Sequence, residues 1–76
     1  MRITVLDDDP GRKISPGRER YRVLLDGEEV KHCFTADDAR GEVIEAVTDE
    51  GGRMIAENGE ARRRTRHGKV TIEKVT

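Results

Sequence analysis

Tryptophan is absent from the sequence, and tyrosine, phenylalanine and cysteine occur once each, as Tyr21, Phe34 and Cys33. A single cysteine excludes an internal disulfide; it reads as a small buried or half-buried hydrophobe in a reducing compartment rather than a reactive thiol. The shortage of aromatics removes the stacking platform with which proteins hold single-stranded nucleic acid. No apolar run approaches the length that crosses a membrane, and the start, MRITVLDDD, lacks the apolar stretch of a signal peptide, so the reading is of a soluble chain with no membrane partner, not secreted through a signal peptide. Seventy-six residues, one third of them apolar, make one small domain, 1–76, with little material for a core. Ordering entropy of about 1.5 kcal/mol per residue leaves so thin a core near break-even, and such folds lean on disulfides, metals or partners. With no disulfide and few metal ligands, a protein partner or self-association is the expected remedy.

What the chain has in quantity is charge, close to balanced at a net −1. Bulk attraction to nucleic acid or membrane is therefore not expected. The charges are nevertheless segregated. Residues 31–60 carry the acids Asp37, Asp38, Glu42, Glu45, Asp49, Glu50, Glu57 and Glu60, whereas residues 61–76 carry Arg62, Arg63, Arg64, Arg66, Lys69 and Lys74 against Glu73 alone. Such polarity docks like molecules head to tail or steers a charged partner; an ordinary solvated surface is the plainer reading.

The clearest structural signal is YRVLLDGEEVKHCF, residues 21–34. Asp26-Gly27 between alternating runs predicts a two-residue type I′ hairpin, with Leu25 opposite Glu28, Val23 opposite Val30 and Tyr21 opposite His32. Before it, Arg2 to Leu6 alternates as a first strand. The segment 7–20, with Asp7-Asp8-Asp9-Pro10-Gly11 and Ser15-Pro16-Gly17, reads as a long flexible loop that orders against a partner. After it, Thr35 to Val47 fits two conformations. A helix would be capped by Thr35 at the cost of Gly41 in its interior. The preferred reading has a turn or single helical turn at 36–41 and then a strand, Glu42 to Thr48, with Val43 and Val47 inward. Asp49 to Gly52 turns, Asn58-Gly59 repeats the tight-loop chemistry, Gly68 bends or bulges, and Lys69 to Val75 alternates. The sum is a mainly β domain of about six short strands, a small antiparallel β-sandwich or partly open barrel whose end strands are exposed edges.

Arg62, Arg63, Arg64, Arg66 and Lys69 form the sharpest chemical feature. On a strand Arg62, Arg64 and Arg66 share one face, with Arg63, Thr65 and His67 on the other. Guanidinium forks match phosphate oxygens, but they match carboxylates equally well. The preferred partner is therefore an acidic surface, with Asp37, Asp38, Glu42, Asp49 and Glu50 as its candidates, in this chain or another subunit. A nucleic-acid contact through 62–69 is the alternative. Asp7-Asp8-Asp9 lacks the glycine and glutamate spacing of a calcium loop, and His32 and Cys33, adjacent on a strand, face opposite sides. Ser15 sits in no nucleophile elbow, and the scattered glycines cradle no phosphate. No catalytic residue, metal ligand or cofactor is predicted.

The run DGEEVKHCFTADDARGEVIEAV with TDEGGRMIAENGEARRRTRHGKVTI resembles short, mostly uncharacterised phage and prophage proteins. The matching features are Asp26-Gly27, Glu29-Val30, Cys33 with Ala36-Asp37-Asp38, Asp49 to Arg53, and Arg66 to Ile72. The likeness spans about two thirds of the chain, rests on turn and strand residues, and brings no site residues. It implies a virion-associated accessory protein in the host cytoplasm or the virion. The expected function is a non-enzymatic structural or interaction module. A small nucleic-acid-binding regulator is the alternative; an edge-docking inhibitor of a host protein follows, and an enzyme comes last.

Overall fold

The computed structural model describes residues 1–15 and 17–75, without the side chain of Glu57. The chain is mainly β, and the described residues contain no helix. Ten short strands follow one another: β1 (Arg2–Thr4), β2 (Arg12–Lys13), β3 (Tyr21–Leu25), β4 (Glu28–Glu29), β5 (Cys33–Asp37), β6 (Glu42–Ala46), β7 (Ala56–Glu57), β8 (Glu60–Ala61), β9 (Arg63–His67) and β10 (Val70–Lys74). They form a five-stranded sheet, β2-β1-β5-β6-β9, a three-stranded sheet, β10-β3-β4, and the small hairpin β7-β8. Every pairing is antiparallel except β1 with β2.

The two larger sheets pack face to face around one shared core. Ile3, Ala36 and Val43 lie opposite one another across β1, β5 and β6 and form the inner face of the first sheet. Val23, Leu25 and Val70 come from the second and complete a core of small side chains. Val43 is fully buried. The close side-by-side placement of β6 and β9 requires Gly41. Its φ is +65°, and the carbonyl of Gly68 passes where a side chain would stand.

The Asp26-Gly27 hairpin forms with the expected register, Leu25 opposite Glu28, and both loop residues have positive φ as type I′ demands. It is shorter than expected. One further bond, from Val30 N–H to the Val23 carbonyl, extends it, and the pairing of Tyr21 with His32 does not form. His32 takes a positive φ of 56° and a bulge follows between Cys33 and Thr35, so the chain leaves for the other sheet. Tyr21 pairs with Lys74 of β10 instead.

Two further expectations change. Ala36 and Asp37 end β5, so the reversal takes the plain turn of the two forms expected and spans 38–41 rather than 36–41. The Asp37 carboxylate accepts from the Ala39 and Arg40 N–H groups there, the backbone-bonding habit that makes Asp a turn former. Among the described residues the strands number ten rather than about six, because β2 forms within the segment read as a loop and the tight turns leave β4, β7 and β8 as two-residue strands. Within 7–20, β2 adds to the edge of β1, Ile14 N–H donates to the Thr4 carbonyl, and the N–H groups of Arg18 and Glu19 donate to the Ser15 carbonyl. Pro16 of that segment lies outside the described residues.

Candidate interaction surface

The outer face of the five-stranded sheet carries a polar row set by register: Arg2 opposite Asp37, Asp37 opposite Glu42, Glu42 opposite His67. Arg2 is its hub. Its guanidinium grips Asp9 with two bonds, Nε to Oδ1 at 3.0 Å and Nη2 to Oδ2 at 2.8 Å. The remaining nitrogen reaches Glu42 at 3.0 Å and Asp37 at 3.3 Å. A planar five-donor cation suits three carboxylates at once, and lysine would not. Beside this row, Thr4 and Thr35 face each other with hydroxyls 2.7 Å apart, and Thr35 also donates to Asp9. Asp9 arrives from the loop after β1 and closes over this face.

Arg2 holds the Asp9 carboxyl below its ordinary value, as does the N–H of Gly11. For Asp37 the Arg40 N–H contributes most and Arg2 adds to it, again lowering the value. Among the described residues, no group of three or more His, Cys, Asp or Glu side chains is placed to hold a metal ion.

A second ionic group sits on the inner face at the β9 edge. Glu45 is almost wholly buried, and it accepts from Arg66 at 2.9 Å and Arg64 at 3.2 Å. The Arg66 guanidinium is held more firmly protonated by this carboxylate. On the opposite face of β9, Arg63 meets Asp8 at 3.2 Å and His67 stands 3.5 Å from Glu42. Arg62 lies between β8 and β9, its N–H donating to Ile55 and its carbonyl accepting from Val47. Lys69 follows the Gly68 bend, and its N–H donates to the Asp26 carboxylate at 2.9 Å.

The five basic residues thus occupy one continuous edge segment, on both of its faces. The acidic candidates divide. Asp37, Asp38 and Glu42 gather around β1, where Asp38 also pairs with the Met1 ammonium at 2.7 Å. Asp49 and Glu50 lie beyond the other end of β6, where the Asp49 carboxylate accepts from the Gly51 and Arg53 N–H groups. Three residues that organise the ionic groups, Arg2, Asp9 and Glu45, were not among the candidates. Glu45 carried a signal, since it falls between Val43 and Val47 on the inward side of its strand. Asp9 carried none, because only the tertiary path of its loop brings it to Arg2.

Between the two sheets lies an open slot of about 320 Å³ lined by Ile3, Val5, Ile14, Tyr21, Val30 and Cys33, among others. Burial pushes the Cys33 thiol up to about 11, and its Sγ donates to the Thr35 carbonyl. No family model, curated protein or solved structure matches this chain.

Proposed function

We propose that this chain is a non-enzymatic structural or interaction module, a phage or prophage accessory protein of the virion-associated kind, stabilised by assembly with protein subunits in the host cytoplasm or virion. The observation that carries the reading is the incomplete closure of the sandwich. A thin core leaves an open slot of mixed apolar and polar lining between the sheets, and among the described residues each larger sheet ends on strands with no further strand beside them. Such a fold gains most from a second surface. The alternative, nucleic-acid binding through 62–69, has less support, because Glu45 and Asp8 already engage Arg64, Arg66 and Arg63, and phosphate would have to displace them. Thermal melting across concentrations from micromolar to millimolar tests the proposal. A melting temperature that rises with concentration is expected; a stable monomer melting at one temperature throughout overturns it.

A further inference from the structure

Among the described residues, β9 ends the five-stranded sheet and β10 ends the three-stranded one. The alternation of antiparallel ladders decides which backbone groups face outward. Gly68 N–H donates to Gly41, and Arg62 C=O accepts from Val47, so even-numbered residues of β9 bond inward and Arg63, Thr65 and His67 face out. In β10, Lys69 C=O accepts from Asp26 and Val75 N–H donates to Arg20, so Val70, Ile72 and Lys74 face out.

The side chains make these edges unequal as templates for a second copy. Antiparallel self-pairing of β9 centred on Arg63, Arg64, Thr65 or Arg66 always sets an arginine opposite an arginine, which repels. Self-pairing of β10 centred on Thr71 does the reverse. Val70 falls opposite Ile72 of the second copy twice, on the apolar inner face. Thr71 meets Thr71, and Lys69 falls opposite Glu73 twice on the outer face, where both are exposed. Centring on Ile72 instead puts Glu73 against Thr71, and centring on Glu73 puts glutamate against glutamate.

We propose that β10 is a self-association edge, pairing antiparallel with β10 of a second copy about Thr71 to give a continuous six-stranded sheet flanked by two Lys69–Glu73 ion pairs. This rests on the interaction-module reading and names the partner as the chain itself. The arrangement is two-fold symmetric, the commonest closure for an oligomer, and its mode is strand addition. A contact of one strand per copy is small, so the association is weak and salt-sensitive.

The experiment combines sedimentation up to about 1 mM with charge exchange across the pair. Lys69→Glu and Glu73→Lys each set like charges opposite one another, and each is expected to weaken dimerisation by about fivefold or more at low salt. The double variant restores the pairs and returns it close to wild type, although Arg22 and Asp26, the opposite residues within the chain, see the same changed charges as in the single variants. Ile72→Pro, which removes an outward N–H, abolishes the dimer. Amide exchange at Val70, Ile72 and Lys74 slows with concentration, while exchange at Arg63, Thr65 and His67 does not. Single variants that dimerise like wild type, or a double variant no better than the singles combined, overturn the strand assignment. If melting still rises with concentration in that case, the interaction-module reading stands; a chain that is monomeric at every concentration overturns both.

Discussion

Gly41 and Gly68 meet backbone to backbone: the Gly68 N–H donates to the Gly41 carbonyl at 3.0 Å, and the Gly68 carbonyl oxygen lies 2.4 Å from where a Cβ on Gly41 would sit. Rigid backbone, not a flexible side-chain tip, occupies that space. Gly41→Ala is therefore expected to cost at least about 2–3 kcal/mol, combining a left-handed φ with a clash that neither strand can relieve cheaply. Gly27→Ala has positive φ but open space around it and should cost about 1 kcal/mol. Urea unfolding of the two variants checks the order.

Removing the Arg2 guanidinium leaves three carboxylates facing one another. Arg2→Ala is expected to lose about 3 kcal/mol, toward the lower end for breaking a buried ion pair, since Arg2 is partly exposed. Arg2→Lys should recover only part of this, because an ammonium cannot make the paired bonds to Asp9 and also reach Glu42. Chemical denaturation of both variants gives the comparison.

Acid should find the same cluster. Asp9 and Asp37 have lowered values in the folded chain against an ordinary 3.8, so the unfolded chain takes up protons first as pH falls. Their contribution is complete above about pH 5 and is lost progressively below about pH 4. Melting temperature followed from pH 7 to 2 should fall in that window, and Asp9→Asn should flatten the fall while lowering the neutral-pH plateau.

Glu45 restrains two arginines, and replacing it releases them. Glu45→Gln should lower stability and raise retention on an immobilised polyanion, with a steeper salt dependence than the nearly flat one expected of wild type. Equal and strong salt slopes for both proteins would favour the nucleic-acid reading instead.

The Cys33 thiol, pushed up to about 11, should be slow to react at pH 8. Alkylation rates in the native chain are expected to fall well below those in urea, where the same thiol regains its ordinary acidity.

Local chemistry made part of this fold legible. Asp26-Gly27 and Asn58-Gly59 sit in the tight loops their residue types demand, and the strand over Glu42–Ala46 falls within the one read from Val43 and Val47 on the inward side. The departure of the chain at His32 was not legible, because a non-glycine residue with positive φ has no sequence signature; tertiary pairing with β1 and β6 holds it there. The basic strand was readable as a two-faced edge, and Glu45 as its carboxylate could be found by strand parity. The Arg2 hub depends on contacts 7, 35 and 40 residues away, which no local pattern encodes.

Those separations also govern timing. Arg2 is made early yet finds Asp37 and Glu42 only after β5 and β6 are synthesised, and β3 waits longer still for its neighbour β10. A chain stitched by such distant partners nucleates slowly, and until residue 74 has emerged Val23 and Leu25 stay uncovered by Val70. In the growing chain Val23 and Leu25 therefore precede by more than forty residues the strand that will cover them.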